Sequence, residues 1–224
     1  MTPLAIDLFC GLGGWTEGLL SEGYYVVGFD NERHEYGDAK YPAQLVLQDV
    51  LTIHGKQFRD AALIVASPPC QAYSYRSLPF KACKAAPPPD NSLFEACFRI
   101  QHEAIEAAGH HIPLIVENVR GACKWVGRSR WNYGAFHLWG DVPALMPIAG
   151  PRDGQKLPGN NAPRKWSDRR TQRLADGLRH KADSFYCASS GSKARKAASA
   201  HIAKIPFELS RYIAAHFKPG ELCI

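Results

Sequence analysis

The first half of the chain alternates short apolar runs with polar, glycine-broken joints. Pro3–Phe9 is apolar apart from Asp7 and runs into Cys10-Gly11-Leu12-Gly13-Gly14, the pattern of a buried strand entering a glycine turn. Trp15–Leu20 reads as the start of a helix that stops at Gly23. Further strands are expected at Tyr24–Phe29, closed by Asp30, at Gln44–Gln48, followed by Asp49, and at Ala62–Ala66, ahead of Ser67-Pro68-Pro69-Cys70. After Pro87-Pro88-Pro89, Ser92 stands to cap a helix reaching about Gly109, with Glu95 at the reciprocal capping position. Ile112–Val116 is a fifth strand, ending in Glu117-Asn118-Val119.

Strands that alternate with helices predict an α/β fold, a mostly parallel sheet covered by helices on both faces. The polar signals all fall just after strands, at the carboxyl edge where such sheets bind ligands. Trp125, Trp131, Tyr133, Phe136, His137 and Trp139 form an aromatic stretch that suits either a strand buried on one face or a base-stacking platform. From Asp141 to about Arg179 the pattern gives way to Pro, Gly, Asn and basic residues, which reads as a small irregular insertion. Ser184–Ala188 is a candidate strand; Lys193–Ala203 and Phe207–Phe217 read as helices, with Pro206 in the first turn of the second. The expected organisation is a catalytic domain over 1–140 and 200–224, interrupted by a basic segment over 141–199.

Length and composition narrow the picture. The 224 residues, 46% apolar and 21% charged, suit one medium soluble domain with a small appendage. No run approaches the roughly 20 apolar residues of a membrane span, and the N-terminus lacks the basic start of a signal peptide, so a cytoplasmic protein is expected. Seven cysteines, an odd number without a C-x-x-C pair, point to neither a disulfide framework nor a zinc site, and no metal is expected. The net charge of +6 is unevenly spread: residues 1–119 carry 8 Lys/Arg against 14 Asp/Glu, and residues 120–204 carry 17 against 5. An acidic half followed by a basic one fits a polyanion partner as well as it fits a solvated basic surface.

Candidate chemistry sits at the strand ends. A glycine turn between strand and helix lets backbone approach a ligand closely. Asp30 follows Gly11 by 19 residues, near the spacing of a carboxylate that binds a ribose hydroxyl. Thr16 occupies the place of the third glycine of a dinucleotide fingerprint, so a nucleoside ligand without a pyrophosphate suits the turn better. Asp49 is placed to accept from an adenine amino group; singly, each of these is equally a turn glycine or a capping Asp. Cys70, presented after two prolines at a strand end, is a candidate nucleophile. Glu117, closing the neighbouring strand, suits protonation of a ring nitrogen while a thiolate adds to the ring.

Asp7-Leu8-Phe9-Cys10-Gly11-Leu12-Gly13-Gly14, Pro69-Cys70-Gln71 and Glu117-Asn118-Val119 together closely resemble the cofactor, nucleophile and acid motifs of cytosine-5 DNA methyltransferases, in the same order and strand placement. The resemblance is specific over residues 1–121. It implies a Rossmann-like S-adenosylmethionine-dependent methyltransferase fold, in which Cys70 adds to carbon 6 of a flipped cytosine and Glu117 holds ring nitrogen 3. It places Asp7, Phe9, Cys10 and Gly11 to Gly14, Leu12 included, around S-adenosylmethionine, with Asp30 and Asn31 at the ribose and Asp49 and Val50 at the adenine. It also places Pro69 among the cofactor-binding residues and Gln71 with Cys70 among the catalytic ones; Asn118 braces the pocket, and Gln71–Pro89 corresponds to a loop that closes over DNA.

The chain also departs from the family pattern. Gly127-Arg128-Ser129-Arg130 keeps paired arginines without the glutamine that normally precedes them, so either Arg130 or Arg128 is the candidate for holding the target base. Ala203 stands where a cofactor-side Asn is usual. Only about sixty residues, Asp141–Ala200, replace the usual recognition domain; within them Arg164-Lys165-Trp166, Arg169-Arg170 and Arg173 suit phosphate tracking, or a disordered basic loop. Such compactness resembles the minimal methyltransferases of phages and prophages, which points to an orphan enzyme without a partner nuclease; the expected partner is double-stranded DNA and the expected state a monomer. An RNA or nucleotide cytosine-5 methyltransferase and a non-catalytic nucleic-acid-binding relative are the competing expectations.

Overall fold

Each apolar run of the first half becomes a strand, largely free of polar residues in its interior apart from Asp7, because most of the sheet is covered on both faces. The computed structural model describes residues 2–73, 87–147, 196–197, 200–201 and 203–220. Strands β1 (Leu4–Leu8), β2 (Tyr25–Asp30), β3 (Gln44–Leu47), β4 (Ala61–Ala66), β5 (Leu114–Asn118), β6 (Trp131–Tyr133) and β7 (Phe136–Gly140) form one sheet in the order β3-β2-β1-β4-β5-β7-β6. Strand β7 runs antiparallel to both neighbours, and every other pairing is parallel. The chain winds outward from β1 in one direction through β2 and β3, then returns to place β4 on its other side. The β1–β4 seam is therefore the switch point, and its carboxyl edge is the crevice where open α/β sheets take ligands.

Helices α1 (Gly14–Ser21), α2 (Ser92–Ala108) and α4 (Phe207–His216), with the short α3 (Cys123–Val126), complete the layers. Alternation along the strands sends Ile64, Leu114 and Val116 into a core with Phe94, Cys97, Ile100 and Ala104 of α2. Leu63, Val65 and Ile115 point the other way, into a core with Trp15 and Leu19 of α1 and Leu209 and Ile213 of α4. Residues 1–154 with 205–224 form one compact unit, which holds all seven strands, and residues 155–204 form a second. Among the described residues no helix is long and apolar enough to cross a membrane.

Two local expectations change. The aromatic stretch folds as a hairpin, β6 and β7, turning at Gly134 (φ 59°), with Tyr133, Phe136, Leu138 and Trp139 buried. Helix α2 begins with Ser92 inside it and Asn91 as its flanking residue, so the reciprocal cap with Glu95 is not made. Asn91 Oδ1 instead accepts from the Tyr73 hydroxyl at 2.9 Å, and the Asp90 carboxylate accepts from Ser92 N at 2.8 Å. The expected strand Ser184–Ala188, the cluster Arg164, Lys165, Trp166, Arg169, Arg170 and Arg173, and residues 74–86 lie outside the described residues.

Helix α4 returns to α1 at very close range. A Cβ on Gly18 would stand 2.4 Å from the backbone of Ser210 and Arg211, the Tyr24 hydroxyl donates to Ala214 O at 3.0 Å, and Arg211 pairs with Glu22 at 2.9 Å. Gly18→Ala forces these two backbones apart. It is expected to cost about 1–3 kcal/mol in urea unfolding, whereas a loss within about 0.3 kcal/mol would contradict the packing.

Candidate active site

Parallel register brings the chemistry to one edge. Phe29, Leu8, Ala66 and Val116 align as a single row across β2, β1, β4 and β5. The residues immediately beyond that row are Asp30, Phe9, Ser67 and Glu117, so every signal noted at a strand end converges on the same rim. Three hydrogen bonds stitch the rim together. Ser67 N donates to Leu8 O at 3.1 Å, Trp15 Nε1 donates to Ser67 Oγ at 3.0 Å, and Asn118 Nδ2 donates to Pro68 O at 3.0 Å. Pro68 is thus held between β1 and β5, and Cys70, half-buried two residues later, starts a single tight turn closed by Tyr73 N on Cys70 O at 3.1 Å.

Of the four described cysteines, Cys10 and Cys97 are buried. Burial, with Asp7 and Asp30 beside it, pushes the Cys10 thiol far above the ordinary thiol range, and burial does the same to Cys97. Neither is a source of thiolate. Cys70 is half-buried at the rim, while Pro69 and Gln71 on either side are exposed. Glu117 is 3% exposed and shares the sheet face of Ile115, opposite Leu138; Asn118 lies on the other face, in register with His137.

The glycine turn is open on one side and braced on the other. Gly11 (φ 50°) and Gly13 (φ 75°) adopt left-handed backbone, and so does Phe9 (φ 58°), a conformation that costs a non-glycine residue about 1 kcal/mol. A Cβ on Gly11 would meet nothing within 4 Å, so the turn faces open space there. Gly14 is the first residue of α1, and Leu12 is buried beneath the turn. Asp30 Oδ2 accepts from Gly11 N at 3.0 Å and its Oδ1 from Glu32 N at 3.2 Å, with His34 at 3.5 Å; these contacts outweigh burial and hold its carboxyl below the ordinary range. Asp30 therefore shapes the turn directly, while Asn31 beyond it is exposed. Asp49 caps the single turn Val50–Thr52 through Leu51 N at 2.9 Å and is exposed; Val50 is buried.

A brace on the far side of the turn is invisible in the sequence pattern. Asp7 is 1% exposed; its Oδ2 accepts from Thr16 Oγ1 at 2.6 Å, and Tyr41, from the β2–β3 linker, reaches Thr16 Oγ1 at 2.7 Å. With the Thr16 hydrogen given to Asp7, the Tyr41 hydroxyl is the donor of the second bond. The Tyr41 ring lies where a Gly28 side chain would be (2.3 Å from a Cβ there), and Pro42 sits 2.5 Å from a Cβ on Gly13. Thr16, in the place of a third fingerprint glycine, thus ties the linker to the turn. The signals present were weak: a lone Tyr-Pro in a polar linker, and a glycine inside an apolar strand.

Arg128 and Arg130 are both exposed, on the turn between α3 and β6. Arg130 N donates to Leu138 O at 2.9 Å, and Leu138 is the residue registered with Glu117. Ser129 Oγ, between the arginines, lies 2.9 Å from His137 Nδ1. A surface depression of about 510 Å³ lined by His54, Lys56, Gln57, Arg59 and Asp60 sits just before β4, at the opposite edge of the sheet. Among the described residues no group of three His, Cys, Asp or Glu side chains is placed to hold a metal ion.

The sheet order, the antiparallel β7 and a glycine turn at the switch point define a Rossmann-like fold of the methyltransferase kind. The family model for C-5 cytosine-specific DNA methylase matches residues 4–125, more than half of the chain, and the chain belongs to that family. No curated protein matches it. Similar solved structures include an E. coli prophage protein described as a DNA modification methyltransferase, at 22% identity over 54% of this chain and 33% of that one, with a TM-score of 0.38. The Dnmt2 methyltransferase of S. pombe is 17% identical over 55% of this chain and 36% of its own, with a TM-score of 0.37. The Entamoeba histolytica methyltransferase EhMeth is 18% identical over 55% of this chain and 40% of its own, with a TM-score of 0.37. The chain thus spans about a third of the length of the first of these.

The Asp7 carboxyl gives the site a measurable signature. Burial raises it to about 7 from 3.8, only partly offset by the Thr16 hydrogen bond. Folding then takes up a proton between those values, so Asp7 costs stability increasingly as pH climbs through this window and by a constant amount above it. Asp7→Asn keeps an acceptor for Thr16 and removes the charge. Its gain in melting temperature over the wild type is expected to be largest at pH 8 and to shrink steadily from pH 7 to pH 4; a gain independent of pH would contradict the assignment.

Proposed function

We propose that this chain transfers a methyl group from S-adenosylmethionine to carbon 5 of cytosine in DNA, through a covalent bond between the substrate and Cys70. The observation that carries the reading is the shared rim, with Cys70 half-buried just beyond β4, Glu117 buried at the end of β5, and Asn118 bonded to Pro68 between them. Membership of the cytosine-5 family supplies the reaction class.

The glycine turn from Gly11 to Gly14, with Phe9, Asp30, Asp49 and Val50, would hold S-adenosylmethionine, which supplies an electrophilic methyl group when bound. Cys70, as thiolate, attacks carbon 6 of the cytosine while Glu117 gives or shares a proton at ring nitrogen 3. As the carbon–sulfur bond forms, the 5,6 double bond opens and its electron pair moves onto carbon 5, which becomes nucleophilic and would take the methyl group, with S-adenosylhomocysteine as the leaving group. Removal of the carbon-5 proton by a base then returns an electron pair to the ring, re-forms the 5,6 double bond and expels Cys70 as thiolate. Asn118 acts through Pro68, keeping Cys70 aligned with the ring. Either Arg128 or Arg130 steadies the displaced nucleotide. Residues 1–140 with 200–224 make up the catalytic domain, residues 141–199 serve as a reduced recognition segment, and the protein works as a cytoplasmic monomer of phage or bacterial type on duplex DNA.

Methyl-transfer assays on duplex DNA, single-stranded DNA, tRNA and deoxycytidine monophosphate test the substrate. Duplex DNA is expected to be methylated fastest, and transfer confined to tRNA or to the free nucleotide would overturn the choice of DNA. Cys70→Ser is expected to reduce transfer at least about a thousandfold, comparable to removing other activated nucleophiles, while S-adenosylhomocysteine still binds. Transfer by that variant at the wild-type rate would refute the thiolate mechanism.

A further inference from the structure

The described arginines fall into two groups. Among the described residues Arg33 pairs with Glu35, Arg59 with Asp60, Arg99 with Glu103 and Arg211 with Glu22, at 2.9–3.6 Å. The other three, Arg120, Arg128 and Arg130, have no ion pair among the described residues, and all three lie within one eleven-residue segment together with Lys124. All four cations are exposed, and no Asp or Glu occurs from Asn118 to Gly140. Elsewhere among the described residues the chain covers its arginines with nearby carboxylates. Here it leaves them bare, next to the strand end that carries Glu117 and Asn118.

The segment is also firmly mounted. Ala122 is fully buried, Trp139 Nε1 donates to Gly127 O at 3.0 Å, Ser129 Oγ and His137 Nδ1 are 2.9 Å apart, and Arg130 N donates to Leu138 O at 2.9 Å. Lys124 Nζ lies 4.2 Å from the Trp125 ring centroid, which limits how far that side chain wanders. Uncompensated surface cations repel one another, and a carboxylate among them would relieve that cost locally. Exposed guanidinium groups on an anchored segment, with no ion pair among the described residues, suit phosphates, whose oxygens match the arginine fork.

We propose that Arg120, Lys124, Arg128 and Arg130 form a ledge that binds the sugar–phosphate backbone of the nucleic-acid strand entering the active site. This rests on the methyltransferase reading and adds to it a backbone-binding surface inside the catalytic domain, separate from the basic segment 141–199. The ledge follows β5 directly, and its anchor His137 is registered with Asn118, so a strand lying along it passes the rim that presents Cys70. Interactions of this kind set position and leave base identity to other groups.

The test uses the full-length protein and a fluorescein-labelled DNA duplex, titrated at several salt concentrations. The double variant Arg120→Gln with Lys124→Gln is compared with Lys56→Gln, which removes an exposed cation just before β4, at the opposite edge of the sheet. Removing one cation that neutralises a phosphate lowers the slope of log affinity against log salt by about 0.9 on duplex DNA. The double variant is expected to lose up to about 1.8 of slope and about tenfold or more in affinity at 100 mM salt, raising the KM for DNA more than it lowers kcat. Lys56→Gln is expected to match the wild type. An unchanged slope in the double variant, or an equal loss in Lys56→Gln, would overturn the ledge. If the wild type methylates DNA and the slope is unchanged, the ledge alone fails. If the slope falls as expected but the wild type transfers no methyl group, the ledge stands and the methyltransferase reading fails.

Discussion

The hydrogen bond from Asn118 to the carbonyl of Pro68 is the contact on which the proposed chemistry depends most. It joins the ends of β4 and β5 at the point where the chain leaves the sheet for Cys70. Prolines at 68 and 69 already remove backbone freedom, so one fixed carbonyl is enough to aim the cysteine. Asn118 is fully buried, and losing its partner would leave a polar group without water, a cost of about 1–3 kcal/mol. Register does the rest. Because Ala66 pairs with Val116, the residue after Val116 is brought to the same rim, and that residue is Glu117.

Around this hydrogen bond the molecule separates its charges by task. The turn side is acidic and largely satisfied internally. Asp30 holds the backbone of Gly11, and Asp7 holds Thr16 and through it Tyr41, so the carboxylates shape a cradle before they touch any ligand. The far side, from Arg120 to Arg130, is basic, and its cations make no ion pair among the described residues. In the proposed reaction a cofactor with a nucleoside moiety and a polyanionic strand would make opposite electrostatic demands, and β4 and β5 lie between these two regions.

The strands β1 to β5 were legible because a sheet buried on both faces must be written as continuous apolar runs. Cys70 and Glu117 were legible as strand-end residues, and the structure places both at the rim. The hairpin of β6 and β7 was legible only as an aromatic stretch, since Trp131, Tyr133, Phe136 and Trp139 fill a one-sided strand pattern without marking where it turns. The Ser92 cap was misplaced because Asn91 is engaged by Tyr73, a partner 18 residues away that no local rule anticipates. Tyr41 was missed for the same reason. Its role depends on the absence of a side chain at Gly28 and on a hydroxyl at Thr16, both distant in sequence. Bare arginines are likewise a property of what surrounds them in space, and composition alone cannot separate them from paired ones.

The central claim is that Cys70 becomes bonded to its substrate. It is tested most directly with a DNA duplex in which 5-fluorodeoxycytidine replaces cytosine, incubated with the protein and S-adenosylmethionine. Fluorine at carbon 5 cannot leave as a proton does, so the ring double bond cannot re-form and Cys70 cannot be expelled. Intact mass spectrometry is predicted to show protein plus oligonucleotide plus one methyl group, with the bond mapped to the peptide that contains Cys70 and absent in Cys70→Ser. Methylation of ordinary cytosine without any such adduct, or an adduct mapped to another cysteine, would contradict the account.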